Sequence, residues 1–246
     1  MLHKANLFFR SLLFTLIMVV ITPPWTFICS LAMPLSYPKR YYLITRWNVF
    51  IIWLAKVMCG IQYQIKGAEN LPGTAAILLC KHQSAWETIF LLAKMPRPIV
   101  YVLKKELMHI PFFGWSLAQL QMIPIDRSKG VRAFRQVIIE GKKRLNNALW
   151  ITMFPEGTRT AVGEQGEYKG GGTRLAIATE TPVVPIAVNS GECWAKGAFI
   201  KKPGLVTVSI GPAISPKGLS HDAMMQQVEA WIESEMRVIS PHAYTN

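Results

Sequence analysis

The sequence predicts an α/β fold, in which a mixed, mostly parallel sheet is flanked by helices and preceded by an apolar two-helix membrane anchor. Two observations predict it. After Gly60, short apolar runs alternate with segments that carry apolar residues at helical spacing, a pattern typical of parallel sheets covered by helices. Before Gly60, a long uncharged run is apolar enough to enter a bilayer. We therefore predict an anchor with an amphipathic helix over residues 1–60 and one α/β domain over residues 61–246.

The composition favours a membrane surface as a partner. Of the 246 residues 51% are hydrophobic, and 27 Lys and Arg residues against 14 Asp and Glu residues give a formal net charge of +13. An apolar surplus promotes association and a basic surplus attracts anions, so anionic membrane lipids satisfy both tendencies. Nucleic acid would explain only the charge. Because the basic residues are scattered rather than gathered in an aromatic-rich motif, we expect no nucleic-acid partner.

The cysteines predict neither a disulfide framework nor a metal site. Cys29, Cys59, Cys80 and Cys193 lie far apart, without a paired spacing and without a histidine at ligand spacing. Each sits in an apolar run, so we predict four small buried hydrophobic side chains.

The anchor is predicted from residues 11–38, which contain no charged residue. Pro23 and Pro24 interrupt this run. A helix broken there leaves two arms of about 12 to 14 residues, roughly 18 to 21 Å each, against a hydrocarbon core of about 30 Å. Basic residues flank the run on both sides: Lys4, Arg10, Lys39, Arg40 and Arg46. The positive-inside rule then favours a re-entrant helix-turn-helix in one leaflet, with both flanks on the cytoplasmic face. A single Pro-kinked spanning helix and a cleaved signal peptide are the alternatives.

The elements after the anchor follow from the period of the apolar residues. From Leu43 to Ile61 they recur every three or four positions, as in a helix that packs on a core. Ile61, Tyr63 and Ile65 alternate as in a half-buried strand, and the later apolar runs are continuous, as in strands covered on both faces. These later strands are predicted over 75–80, 99–103, 149–154, 183–188 and 205–210. Helices are predicted over 84–94, 113–121, 131–146, 172–179 and 221–238, and a Gly-rich loop over 160–172.

A histidine and a carboxylate after the second strand are the first candidates for chemistry. His82 follows that strand, and Glu87 lies at the start of the next helix, where it can turn back toward the imidazole. Glu87 would then accept a hydrogen bond from one imidazole nitrogen and leave the other as a general base. Ser84-x-x-Glu87 is also a capping box, which stabilises a helix N-terminus without any catalysis. The residues alone leave both interpretations open.

Three further blocks stand downstream of this pair. The segment 154–159, Phe-Pro-Glu-Gly-Thr-Arg, follows a strand directly. In it Gly157 permits a tight turn, and the planar fork of Arg159 suits a phosphate. Lys-Lys-Glu-Leu-x-x-Ile-Pro-x-x-Gly occupies 104–114 and is followed by Ile-Asp-Arg at 125–127, and Val-Pro-Ile occupies 184–186.

Taken together and in this order, the four blocks resemble those of the 1-acyl-glycerol-3-phosphate acyltransferase family, bacterial type. The resemblance covers about residues 60 to 190. It implies a glycerolipid acyltransferase-like fold and an enzyme of phospholipid biosynthesis that moves a fatty acyl group from a thioester to the sn-2 hydroxyl of lysophosphatidic acid, giving phosphatidic acid. It implies acyl-CoA or acyl-carrier protein as co-substrate, with no cofactor and no metal. It also implies a monotopic or single-pass anchor on the cytoplasmic face of the bacterial inner membrane.

The resemblance also assigns roles to residues of this sequence. His82 and Glu87 would be catalytic, and the substrate would be bound by a set of six residues: Lys104, Lys105, Glu156, Gly157, Thr158 and Arg159. Of the two lysines, Lys104 fits the family position better. Glu156 would orient Arg159 or brace its loop, and the oxyanion donors would be backbone N–H groups near Gly157 or a lysine of the second block. Two positions depart from the family pattern: Glu87 replaces an aspartate, and Lys81 stands where asparagine is frequent.

Other functions stay open at this point. Another lysolipid could be the acceptor. Late lipid A acyltransferases also use His-x4-Asp or Glu, but they lack the Phe-Pro-Glu-Gly-Thr-Arg block. A membrane-bound serine esterase would use Ser116, because Gly-Trp-Ser-Leu-Ala at 114–118 mimics a nucleophile elbow and Asp126 and His221 follow in the right order. A non-catalytic lipid-binding protein would show the same anchor and charge.

Overall fold

The computed structural model describes residues 2–126, 128 and 130–244. This part of the chain forms one seven-stranded sheet with helices on both sides. The strands are β1 (Ile61–Lys66), β2 (Ile77–Cys80), β3 (Ile99–Lys104), β4 (Ile123–Ile125), β5 (Trp150–Met153), β6 (Val183–Val188) and β7 (Gly204–Ile210). The helices are α1 (Leu2–Ser30), α2 (Tyr37–Leu54), α3 (Trp86–Lys94), α4 (Phe113–Gln119), α5 (Gly130–Asn146), α6 (Gly171–Thr179) and α7 (His221–Ile239).

The sheet is mixed and mostly parallel, as the sequence predicts. Its strand order is β1-β7-β6-β2-β5-β3-β4. Only the β6–β7 pair is antiparallel among the described strands. β2 and β6 are buried along their whole length, which matches their continuous apolar runs. Every predicted strand and helix of the α/β part is present within a few residues, and the cysteines are free and buried as expected.

Strand β4 was not predicted, and its composition gives the reason. It has three residues, Ile123–Ile125, and its middle residue is Pro124. Proline cannot donate to a ladder, so a strand that contains it is found at a sheet edge. β4 is such an edge strand, and among the described strands its one partner is β3.

The predicted helix break at Pro23 and Pro24 is wrong. Helix α1 runs through both prolines without interruption, and at 1.5 Å per residue its 29 residues extend about 43 Å. Contacts with α2 support it: Trp47 Nε1 donates to Thr22 Oγ1 at 3.1 Å, one residue before the prolines. Thr22 Oγ1 in turn donates to the carbonyl of Met18 at 2.5 Å. Tertiary contacts therefore override the local preference of the two prolines.

The chain turns back after α1, at residues 31–36, so that α1 and α2 form an antiparallel hairpin. Near its other end, Arg10 Nε donates to the carbonyl of Met58 at 2.5 Å. Helix α2 packs against α3 and buries Ile44, Ile51 and Ile52, which confirms its expected core packing. Lys4–Ser30 and Tyr37–Cys59 are both long and apolar enough to cross a membrane.

Helix α1 leaves one apolar face in contact with solvent. Five of its exposed apolar residues follow one another at intervals of four, three, four and seven positions: Phe9, Leu13, Leu16, Val20 and Phe27. Residues at this spacing lie on one side of a helix. The hairpin therefore offers an apolar stripe, while α2 holds it on the α/β part of the chain. The division of the chain at residue 60 stays a prediction.

Candidate active site

The sheet order brings the sequence blocks together at one edge. Strands β6, β2, β5 and β3 are neighbours and run parallel, so their carboxyl ends meet at the same side. Two of the blocks follow such ends, His82 after β2 and the segment 154–159 after β5, and Ser190, which lies outside the blocks, follows β6. Lys104 is the last residue of β3. This edge is where parallel sheets commonly build their sites.

Glu87 lies at the centre of the contacts around His82. Its Oε1 atom is 2.7 Å from His82 Nδ1 and accepts the backbone N–H groups of Gln83 and Ser84 at 2.9 and 2.7 Å. Its Oε2 atom accepts the hydroxyl of Ser190 at 2.6 Å. The side chain is buried, so this carboxylate depends on its donors for the solvation that water would otherwise supply.

The cap and the histidine pair are both present. Ser84 Oγ accepts the backbone N–H of Trp86 at 3.0 Å, while the Ser84 N–H donates to Glu87. The Glu87 carboxylate thus bonds back to the Ser84 N–H as in a capping box, whereas the Ser84 hydroxyl accepts from Trp86 instead of from Glu87. Because the same Glu87 oxygen also contacts His82, the two interpretations that the sequence left open describe one arrangement. The additional methylene of glutamate does not prevent the contact.

The imidazole of His82 is held in a fixed orientation. Nδ1 contacts Glu87, and the ring stacks on Phe154 with centroids 3.9 Å apart and planes 18° apart. The Glu87 contact favours a proton on Nδ1, which leaves Nε2 as the nitrogen that can accept one. His82 lines the cavity described below, so the geometry fits a general base.

Glu156 braces the backbone instead of lining the cavity. Its Oε2 atom accepts the backbone N–H of His82 at 2.7 Å, and Oε1 lies 2.8 Å from Lys81 Nζ. Burial raises the pKa of this carboxyl, and the Lys81 ammonium opposes that effect. Glu156 is therefore not in a position to contact a substrate in the cavity, contrary to its prediction as a substrate-binding residue. Bracing, the other predicted role, agrees with these bonds.

A large cavity opens beside His82. Its volume is about 850 Å³. One part of its lining is apolar and comes from α1 to α4, including Trp25, Ile44, Trp47, Ile89 and Leu117. Another part carries the polar and charged groups His82, Lys104, Thr158, Arg159, Lys169 and Lys196. A cavity whose lining includes both cationic and apolar side chains fits a molecule with an anionic head and an apolar chain.

The structure separates the two lysines of the second block. Lys104 lines the cavity, as predicted. Lys105 lies on the surface with its Nζ 2.9 Å from Asp126 Oδ2 and is not among the lining residues, contrary to its prediction as a binding residue. Bonds from Ser128 and from Lys105 lower the pKa of Asp126 to about 2. The last residue of this block, Arg127, lies outside the described residues.

Gly157 and Arg159 occupy the turn after β5. Gly157 has φ of 68°, a value that favours glycine, and its N–H donates to the carbonyl of Phe154 at 3.0 Å. Gly157, Thr158 and Arg159 all line the cavity. The sequence blocks did not indicate Lys169 and Lys196, which lie outside them. Lys196 Nζ donates to the carbonyl of Arg159 at 3.0 Å, a contact that only the tertiary structure produces.

The alternative esterase site is not assembled. Ser116 lies within helix α4, and its Oγ donates to the carbonyl of Phe112 at 3.1 Å. The carboxylate of Asp126 binds Lys105 and Ser128, while His221 Nδ1 lies 2.9 Å from Asp222. The contacts of Asp126 and His221 therefore do not connect either side chain to Ser116. Among the described residues there is also no cluster of three histidine, cysteine or acidic side chains that could hold a metal ion.

Comparison with known proteins gives one family. A family model described as Acyltransferase matches residues 62–189. The chain is 41% identical over 237 residues to a 1-acyl-sn-glycerol-3-phosphate acyltransferase of Pseudomonas aeruginosa. The match covers 94% of this chain and 92% of the relative. It is 31% identical over 180 residues to the enzyme of that name from Saccharomyces cerevisiae, which covers 71% of this chain and 58% of the relative.

A solved structure shares the fold. The crystal structure of a 1-acyl-sn-glycerophosphate acyltransferase from Thermotoga maritima matches with a TM-score of 0.77 over 97% of this chain and 96% of the other. The two sequences are 22% identical, so this likeness concerns the fold alone.

Glu87→Gln separates the charge of Glu87 from its capping role. A glutamine can keep its amide oxygen on His82, Gln83 and Ser84, and its NH₂ can donate to Ser190 Oγ. We expect the melting temperature to change little. We expect turnover of a reaction that uses His82 as base to fall by roughly 10²-fold or more, because an imidazolium loses its counter-charge. Steady-state kinetics and circular dichroism measure both. Turnover close to wild type would leave Glu87 with the cap alone.

Proposed function

The chain belongs to the acyltransferase family, among the 1-acyl-sn-glycerol-3-phosphate acyltransferases, and we propose from this membership how its residues perform the transfer. The enzyme moves a fatty acyl group from a thioester to the sn-2 hydroxyl of lysophosphatidic acid and so makes phosphatidic acid. The observation that carries the assignment of residues is the His82–Glu87 pair, with 2.7 Å between Nδ1 and Oε1, at a cavity lined by both cationic and apolar side chains.

In the proposed mechanism His82 is the general base. Its Nε2 removes the proton of the sn-2 hydroxyl while that oxygen attacks the thioester carbonyl carbon. Glu87 stabilises the imidazolium that forms. The tetrahedral intermediate then expels the thiolate, which takes the proton back from His82. The new ester bond replaces the thioester bond, and no acyl-enzyme is formed.

The acceptor phosphate is proposed to bind Arg159 and Lys104. Both side chains line the cavity next to His82. The planar guanidinium of Arg159 suits two phosphate oxygens at once, and Lys104 adds a point charge. Fixing the phosphate places the sn-2 hydroxyl beside His82, which turns a collision between two molecules into a positioned reaction. The apolar part of the cavity would hold acyl chain.

The acyl donor is proposed to be acyl-CoA or acyl-carrier protein. Both present the same thioester arm, and the formal net charge of +13 would attract an acidic carrier. The acyl group would reach His82 along the apolar lining that α1 to α4 provide.

The α1–α2 hairpin is proposed to seat the enzyme on the cytoplasmic face of the bacterial inner membrane. The exposed apolar stripe of α1 would lie in one leaflet, while α2 stays packed on α3. Interfacial helices bind in this way through one apolar face, and basic residues add attraction to anionic lipids. Lysophosphatidic acid and phosphatidic acid would then enter and leave the cavity from the bilayer.

The first test of this function is acyl transfer by the purified enzyme and by its His82→Ala variant. We expect wild type to acylate lysophosphatidic acid, and loss of the general base to lower turnover by roughly 10² to 10⁴-fold. His221→Ala is the matched control, because His221 lies at the start of α7 beside Asp222 and outside the cavity lining.

A panel of other lysolipids and of both donors completes the assay. Preference for a lysolipid without a free phosphate would contradict the proposed acceptor. Loss of activity in His221→Ala together with retention in His82→Ala would favour the esterase arrangement instead.

Lys104→Ala and Lys105→Ala form a matched pair of substitutions. If Lys104 binds the acceptor phosphate, Lys104→Ala should raise the KM for lysophosphatidic acid by about 10 to 100-fold. This factor corresponds to the free energy of one hydrogen bond to a charged group. Lys105→Ala removes only a surface ion pair and is expected to change KM by less than about 2-fold. Steady-state kinetics with varied acceptor measures both. Equal effects of the two variants would refute the assignment of Lys104.

Single cysteines at positions 4, 20 and 39 test the anchor. The four native cysteines are buried, so they give little background for labelling. We expect a water-soluble thiol reagent to reach positions 4 and 39 only from the cytoplasmic side. We expect position 20, on the apolar stripe of α1, to be protected in membranes and labelled in detergent. Labelling of positions 4 and 39 from opposite sides of the membrane would show that α1 spans it.

A further inference from the structure

A cluster of buried charged side chains lies next to His82, and none of these side chains lines the cavity. Lys81 is fully buried, and its Nζ lies 2.8 Å from both Glu156 Oε1 and Glu233 Oε1. The same ammonium donates to the carbonyls of Glu164 and Gln165 at 2.9 and 3.0 Å. One side chain therefore joins the end of β2, the loop after β5 and helix α7.

The charges of this cluster explain why a lysine is needed there. Glu156 and Glu233 are both buried, and removing the cation from an existing buried ion pair is strongly destabilising. Lys81 is the cation that both of them contact. Tyr168 adds a neutral donor, since its hydroxyl donates to Glu233 Oε1 at 2.7 Å. Removing the ammonium would leave two carboxylates without their shared counter-charge.

The cluster connects to the turn that carries Arg159. Glu156 Oε2 accepts the backbone N–H of His82 at 2.7 Å, at one end of the turn. At the other end, the Thr160 N–H donates to the carbonyl of His82 at 2.8 Å, and Thr160 Oγ1 donates to Glu156 Oε1 at 3.1 Å. The turn is thus closed on the backbone of His82 at both ends, with Arg159 between them.

We infer that Lys81 is a positioning residue for the acceptor phosphate. It holds Glu156 and the two loop carbonyls of Glu164 and Gln165, and through them it fixes Arg159 relative to His82. Lys81 itself does not line the cavity, so its effect passes through Arg159. The inference rests on the proposed function. It adds a side chain that fixes the position of the phosphate-binding turn relative to His82.

A double-mutant cycle between Lys81 and Arg159 tests this inference. Lys81→Met keeps the length of the side chain and removes the charge. We expect it to lower kcat/KM for lysophosphatidic acid by about 10²-fold in the wild-type background, since small displacements of positioning groups cost this much. In the Arg159→Ala background we expect a further loss of less than about 3-fold, because the residue through which Lys81 acts is already gone.

The alternative is that Lys81 only stabilises the fold. Two results would then be expected. The fold-losses in kcat/KM of the two single variants would multiply in the double variant, and kcat/KM of Lys81→Met would recover at a temperature well below its melting temperature. Either observation overturns the inference. Circular dichroism and the melting temperature are measured for all four proteins in the same detergent.

Glu233→Gln covers the case in which Lys81→Met does not fold. This substitution keeps the shape of the side chain and its hydrogen bond with Tyr168. It removes the negative charge by which helix α7 binds the Lys81 ammonium. The matched control is Glu229→Gln, one helical turn earlier, whose carboxylate accepts Gln165 Nε2 at 2.7 Å on the surface. We expect Glu233→Gln to lower kcat/KM by at least about 5-fold, again with little further loss in Arg159→Ala, and Glu229→Gln to stay within about 2-fold of wild type.

Equal behaviour of Glu233→Gln and Glu229→Gln would overturn the inference. Failure of the wild-type enzyme to acylate lysophosphatidic acid in the same assay would overturn the proposed function, and the inference with it. An active wild type with multiplicative losses would overturn the inference alone.

Discussion

The buried carboxylate of Glu87 is the constraint on which the rest of the site depends. It is solvated by four donors from two chain segments, the turn that follows β2 and Ser190 after β6. The same bonds end the strand, start helix α3 and set the imidazole of His82. The bonds that form the helix N-terminus therefore also orient His82, the proposed base. Losing the carboxylate would disturb the helix N-terminus, whereas losing only its charge leaves that N-terminus its hydrogen bonds.

A second layer of buried charge supports the first. Glu156 ties the backbone of His82 to the turn of Arg159, and Lys81 ties Glu156 to helix α7. His82, the proposed base, and the proposed phosphate-binding turn follow different strands, yet both are held by the same few bonds. Such a network has a physical advantage in a reaction between two molecules, since the acceptor phosphate and the attacking hydroxyl must be fixed relative to one another.

The α1–α2 hairpin contributes to the site as well as to the proposed membrane contact. Residues of α1 and α2 provide part of the apolar lining of the cavity, among them Trp25, Ile44 and Trp47. The opposite face of α1 carries the exposed apolar stripe. One helix therefore borders both the proposed bilayer contact and the reaction cavity, which gives an apolar substrate a short route between them.

The sequence by itself determined the type and approximate bounds of almost every strand and helix, and it showed which residues form the four motif blocks. Both follow from the sequence because apolar periodicity and motifs at strand ends are local properties. From their positions in these blocks it predicts His82, Glu87, Lys104 and Arg159 as site residues. It did not determine whether Glu87 caps or pairs, whether Lys105 reaches the cavity, or whether Pro23 breaks α1. Those outcomes depend on bonds between residues far apart in the chain, such as Ser190 to Glu87 and Trp47 to Thr22. Only the tertiary structure decided them, because a residue's partners in space, rather than its neighbours in sequence, determine what a buried charge or an interrupted helix can do.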